Sequence, residues 1–183
     1  AQVVAIPAAI DGTADGTSFD FYKFTGKKDQ RISLEVVAAR VGTSLDSVVR
    51  LLRSDGGELM LADDDESAGA DSRFSLTLPA DGDYVVELHD NQYRGGGRYR
   101  MRIGDFPLVS VPYPLGGRLG STAQFQFAGS AIDGATPVVL RIPDVVKSGR
   151  VSVAAKFPAG NSSGLATLVA SELPEATEVE PND

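Results

Sequence analysis

The feature that most limits what this chain can fold into is a strict period-2 alternation of apolar and polar residues, broken every few residues by Gly, Pro, Asp and Asn. Phe74, Leu76 and Leu78 alternate with Ser75 and Thr77, and Tyr84, Val86 and Leu88 share one face of the next run. Between them stands the turn chemistry Pro79-Ala-Asp-Gly-Asp83. Alternation on both sides of such a turn predicts a β-hairpin in an antiparallel sheet with one buried face. Immediately upstream, the loop Asp63, Asp64, Asp65, Glu66 and Asp71 holds four consecutive acids, which repel one another unless solvated or neutralised by a cation.

The same periodicity recurs along the chain. Residues 1–10 read as an edge strand, residues 11–18 (DGTADGTS) as turn, and Phe19 to Phe24 as an aromatic-rich strand. Ile32, Leu34 and Val36 give another strand, Val41 to Ser47 a loop, Val48 to Leu52 a strand, and Ser54 to Gly57 a tight turn into Leu59–Leu61. Tyr99, Met101 and Ile103 alternate with Arg98, Arg100 and Arg102. About eight short strands at regular spacing before residue 105 predict a β-sandwich. The Pro/Gly-rich segment Phe106 to Gly120 reads as a break between domains. Beyond it Ala123–Phe127, Val138–Ile142, Val151–Ala155 and Leu165–Val169 alternate again, predicting a smaller all-β unit. From Glu172 to Asp183 there are five acids and no base, the composition of a linker. The expected division is 1–106, 107–172 and 173–183.

Composition removes several classes of function. With no cysteine there is no disulfide framework and no thiolate chemistry, and a single histidine, His89, excludes a His-rich zinc site. A net charge of −8 argues against binding a nucleic-acid backbone and suits a cation or a basic partner. No apolar run approaches the length of a membrane span. The opening residues, AQVVAIPAAI, lack the basic start of a signal peptide. No nucleophile elbow accompanies His89, so it reads as a surface residue and not as a catalytic base. Arg94, Arg98, Arg100 and Arg102, with Tyr93 and Tyr99, form a basic and aromatic stripe. That stripe reads either as cross-strand pairing with acids such as Glu35 and Glu87 or as a contact surface for a carboxylate-bearing partner.

Several short pieces stand in a telling order: Asp20-Phe-Tyr-Lys-Phe24, Ser44-Leu-Asp46, Asp55-Gly56, Asp63-Asp64-Asp65, Gly82-Asp-Tyr84 with Val86, Asp90, and Gly97-Arg-Tyr99. Together they make the first 105 residues resemble the bacterial pre-peptidase C-terminal domain, a sandwich appended to secreted proteases and similar to the collagen-binding domains of clostridial collagenases. The segment PYPLGGRLGSTAQFQFAG resembles an Ig-like module of large secreted bacterial proteins. The tail Glu178-Val-Glu180-Pro-Asn182-Asp183 resembles the opening of a further pre-peptidase C-terminal repeat.

These resemblances imply a jelly-roll-like β-sandwich followed by a smaller Ig-like sandwich, in a tandem array that begins just after one opening motif and stops within the next. In the collagen-binding relatives the tail positions ligate calcium. The resemblance therefore implies Glu178, Glu180, Asn182 and Asp183 as ligands, completed by Asp15, Ser18 and Asp20, with Asp63, Asp64 and Asp65 as a second candidate group. Asp46 reads as a turn former. The expected function is a non-catalytic binding or spacer module of a larger secreted or surface protein, stabilised by calcium. Its partner would be an extracellular protein or polysaccharide, with weak head-to-tail self-association through the tail. The alternatives are a carbohydrate-binding module, an accessory domain of a secreted peptidase, or a hydrolase using the acidic loop as a metal site.

Overall fold

The computed structural model describes residues 1–158, 160–179 and 181, and the side chains of 161–164 are not described. It is all-β apart from one 3-10 turn among the described residues. The chain divides into two compact units, Ala1–Phe106 and Pro107–Asp183.

The first unit runs β1 (Gln2–Val3), β2 (Ala8–Ala14), β3 (Asp20–Gly26), β4 (Arg31–Val37), the 3-10 turn (Ala39–Val41), β5 (Ser47–Arg53), β6 (Glu58–Ala62), β7 (Arg73–Thr77), β8 (Gly82–Asp90) and β9 (Gly97–Gly104). Two sheets, ordered β1-β3-β8-β5-β6 and β2-β9-β4-β7, enclose one apolar core. Strands β3, β4, β5, β8 and β9 contribute alternate residues to it. Phe24, Leu51, Val86 and Leu88 come from the five-stranded sheet, and Ile32, Leu34, Met101 and Ile103 from the four-stranded one. This is the two-layer solution that half-buried antiparallel strands reach.

The expected hairpin is not a hairpin. β7 pairs with β4 (Ile32 opposite Leu76), whereas β8 lies between β3 and β5 in the other sheet. Pro79–Asp83 is a crossing between layers, stapled by the Tyr84 hydroxyl donating to the Ala80 carbonyl at 2.6 Å. Alternation specifies that one face of each strand is buried, but not which ladder the strand joins. Phe74 and Leu78 enter the core from one side and Tyr84, Val86 and Leu88 from the other, and both ladder edges of β8 are already taken.

Residues 11–14, expected as turn, also depart from the sequence reading. They extend β2 along β9, with Asp11 opposite Arg100 and Gly12 opposite Tyr99. Turn-forming residue types are overridden here by a bidentate ion pair, Arg100 to Asp11 at 2.8 and 2.7 Å, and by the Tyr99 ring, which lies where a Cβ on Gly12 would be. The unit has nine strands rather than about eight.

The second unit contains β10 (Leu108–Tyr113), β11 (Gly116–Arg118), β12 (Thr122–Ser130), β13 (Val138–Arg141), β14 (Arg150–Phe157) and β15 (Gly160–Ser171). Its sheets are β10-β12-β13 and β11-β15-β14, around Val109, Phe125, Ile142, Val153, Ala155 and Leu168. The Pro/Gly-rich break is therefore partly strand. Pro112 is tolerated because β10 is an edge strand, where a missing N–H costs no ladder bond on the open side. In β15 the inward set is Ala166, Leu168 and Ala170, while Leu165 and Val169 face outward. Residues 174–179 form no strand.

Candidate binding face

The outer face of the five-stranded sheet carries an arrangement that composition did not announce. Tyr22, Leu88 and Val49 point to the core, so Phe21, Glu87, His89, Val48, Arg50 and Leu61 point outward. Phe19, one residue before β3, packs tilted against His89 with ring centroids 4.4 Å apart, and His89 stacks on Tyr93 at 5.6 Å. Phe21 and Tyr93 each lie 6.4 Å from Phe19. These are distances at which ring pairs attract beyond their simple burial. Tyr93 is 56% exposed and Leu61 51%, so the row presents apolar and aromatic surface to solvent. Arg50, lower on the same face, is held by Glu58 at 2.8 Å and Glu87 at 3.0 Å.

Tyr93 stands at φ 53°, the left-handed region that side chains other than glycine rarely adopt. Such a conformation costs roughly 1–3 kcal/mol and persists only where surrounding bonds over-determine it. Asp90 supplies them. Its carboxylate, 3% exposed, accepts the N–H of Gln92 at 3.2 Å, of Arg94 at 2.9 Å and of Asp46 at 3.4 Å. Its carbonyl accepts the N–H of Tyr93 at 3.0 Å, and Asn91 N–H reaches the Asp46 carbonyl at 2.7 Å. Burial by itself would raise the Asp90 carboxyl, but the N–H donors of Arg94, Gln92, Asp46 and Gly95 outweigh it and hold the group below its ordinary range. One buried acid thus fixes both the loop that displays Tyr93 and the loop that displays Asp46.

At the end of the row Asp46, Asp63 and Asp64 bring carboxylate oxygens within 4.8 Å of one another. Burial, then the charges of Asp64 and Asp46, push the Asp63 carboxyl up. Its Oδ1 is buried and has no hydrogen-bond partner among the described residues. Asp46 Oδ2 accepts the Gln92 side-chain amide at 2.9 Å. Calcium takes six to eight oxygens. Three carboxylates, one already engaged, meet that demand only with several waters, the arrangement of a weak site.

The other residues singled out in the sequence lie elsewhere. Asp65 is not part of this group. It bonds Arg73 at 2.9 Å and caps the N–H groups of Ser67 and Ala68. Asp15 caps Ser18 and Thr17, whose hydroxyl and N–H donors hold its carboxyl below the ordinary range. Asp20 accepts the Tyr99 hydroxyl at 2.6 Å, and that hydroxyl also bonds Tyr22 at 2.6 Å. Tyr99, grouped with the arginine stripe as a neighbouring aromatic, is instead buried, because it sits at an inward position of β9, as its alternation with the arginines implies, and fills the space left by Gly12. Arg100 pairs with Asp11, while Arg102 pairs with the buried Glu35 and lies over the Phe106 ring. Arg94 and Arg98 are exposed. Glu178 belongs to the strandless tail, and Glu180, Asn182 and Asp183 lie outside the described residues.

The candidate residues missed in the sequence are Phe19, Phe21 and His89 as a set, and Asp46 as a member of the acidic group. Phe19-x-Phe21 at strand period was the available signal for the first. None existed for the Asp46–Asp63 pairing, which depends on β5 and β6 lying side by side.

The fold and this face define a β-sandwich module with an exposed aromatic and acidic patch. Residues 18–90 match the family model of the Bacterial pre-peptidase C-terminal domain, so that span of the first unit is similar to such domains. A probable subtilase-type serine protease of Deinococcus radiodurans is 41% identical over 70 residues, which are 38% of this chain and 9% of that protein. Among solved structures, the pre-peptidase C-terminal domain of a Bacillus anthracis collagenase aligns with a TM-score of 0.46 and 13% identity. That alignment covers 55% of this chain and 91% of that one. A periplasmic inhibitor of g-type lysozyme from Aeromonas hydrophila aligns with a TM-score of 0.42 and 15% identity over 56% of this chain and 96% of its own.

Proposed function

We propose that this chain is a non-catalytic binding module of a larger secreted or surface-exposed bacterial protein, and that the outer face of the five-stranded sheet is its contact surface. The observation that carries this reading is the Phe19–His89–Tyr93 row, held open to solvent by a loop whose conformation the buried Asp90 enforces. A pre-positioned aromatic surface on a rigid sheet suits binding, because little side-chain freedom remains to be lost when a partner docks. The second unit reads as an Ig-like spacer, and the similarity to a subtilase-type protease supports a place beside a secreted peptidase. Calcium is a second reading, favoured by the three converging carboxylates and the raised Asp63 carboxyl.

The test incubates the full chain with labelled casein and gelatin and measures cleavage and retention together. The reading expects no cleavage, and retention that falls in the paired variant Phe19→Ala/Tyr93→Ala. Cleavage that co-purifies with the chain and disappears on a single substitution would contradict it.

A further inference from the structure

The acids and the rings are neighbours across the sheet. Val48 pairs with His89, and Val49 pairs with Ala62, which sets Asp63 beside Val48 at the next position. Two inter-strand steps separate His89 from Asp63, roughly 10 Å. That span matches an extended arginine or lysine side chain. Ring faces attract the apolar stem and the positive head of such a side chain, and the attraction grows as water is excluded. The three carboxylates are only partly compensated: the Asp64 N–H and the His89 side chain favour the charged form of Asp63, but burial and the charges of Asp64 and Asp46 outweigh them. Asp63 Oδ1 lacks a donor among the described residues, and Asp46 receives only the neutral amide of Gln92. A neutral sugar would cover the rings and leave these charges uncompensated, whereas a cationic side chain satisfies both halves of the patch. The chain's net charge of −8 favours the approach of the same kind of partner.

We propose that the outer face of the five-stranded sheet receives a segment of a partner protein bearing arginine or lysine, its stem lying along Phe19, His89 and Tyr93 and its cationic group meeting Asp46, Asp63 and Asp64. The proposal rests on the binding-module reading above and names the class of partner for that surface.

The experiment is an NMR titration of the full chain, in chelator, with a short extended peptide carrying arginine. The same peptide with citrulline, which keeps the shape and removes the charge, serves as comparison, and a neutral oligosaccharide as a third ligand. The proposal expects shifts confined to residues 19–21, 46, 63–64 and 89–94. Affinity should fall about fivefold or more with citrulline, and by a similar factor in Tyr93→Ala and in Asp63→Asn. Asp55→Asn removes an equal charge elsewhere on the same unit and should leave affinity within about twofold. Because Tyr93 and Asp63 are partly exposed, the variants are checked for unchanged melting or, where melting shifts, for native shifts at the core methyls of Leu34 and Val86. Equal binding of the citrulline peptide, or an equal loss in Asp55→Asn, overturns the proposal. So does an oligosaccharide that moves the ring signals while the arginine peptide does not. That last result leaves the binding-module reading standing, whereas the cleavage result described above would remove the binding-module reading itself.

Discussion

Replacing Asp90 by Ala removes the acceptor on which two loops depend. Three backbone N–H groups, those of Gln92, Arg94 and Asp46, bond its carboxylate at 3.2, 2.9 and 3.4 Å. A hydrogen bond to a charged group contributes about 1.5–3 kcal/mol, and the two longer bonds fall at or below the low end. Gln92 and Arg94 are exposed and regain water when the acceptor is lost, which offsets part of the cost. The net penalty is therefore about 2–4 kcal/mol, or a fall of about 10 °C or more in the melting temperature of a unit of this size. Because the folded-state carboxyl lies below its ordinary range, its contribution is present above the unfolded value of about pH 4 and is lost as pH falls through the folded value. Calorimetry of the wild type and Asp90→Ala across acidic pH reads both effects. The wild type should lose stability more steeply on acidification, so the two curves converge. A shift below about 1 kcal/mol at neutral pH, or curves that stay parallel into acid, would refute the reasoning.

Three further outcomes follow from the packing. Glu35→Ala strips the shared acceptor from Arg40, Arg73 and Arg102 at a site where Glu35 is 1% exposed, and should cost about 3–5 kcal/mol by urea unfolding. Burial and hydrogen bonds to Asp20 and Tyr22 raise the Tyr99 hydroxyl above its ordinary value, so the folded state favours the protonated form. Stability should fall as pH rises above about 10, and this alkaline loss should shrink in Tyr99→Phe. Asp63→Asn relieves the burial of a charge and the repulsion from Asp64 and Asp46 that together raise its carboxyl, so it should increase the melting temperature at neutral pH in chelator, lose that gain below about pH 3, and abolish any rise produced by calcium.

Much of this architecture is legible in the sequence, and the parts that are not share a cause. Period-2 alternation identified the strands around Tyr22, Leu34, Val49, Val86 and Met101, because one-sided burial writes itself into residue order. It could not say that β7 and β8 belong to different layers, since Phe74 and Tyr84 obey the same pattern whichever ladder they join. Asp11 and Gly12 look like turn residues until Arg100 and Tyr99 stand opposite them. The acidic stretch was visible, but its division was not. Asp65 turns back to Arg73, while Asp63 and Asp64 meet Asp46, brought from the start of β5. Phe19, Phe21 and Tyr93, distant in the chain, are gathered into one aromatic surface, and a tally of residue types cannot register clustering.

The central claim is that the rings and the acids of this face act together on one cationic group. A double-mutant cycle on affinity for the arginine peptide, using Tyr93→Ala, Asp63→Asn and their combination, tests it most directly. The account predicts that the combined loss falls short of the sum of the single losses by about 0.5–1 kcal/mol, as expected when two residues hold the same side chain. Strictly additive losses, or no loss in either single variant, would contradict it.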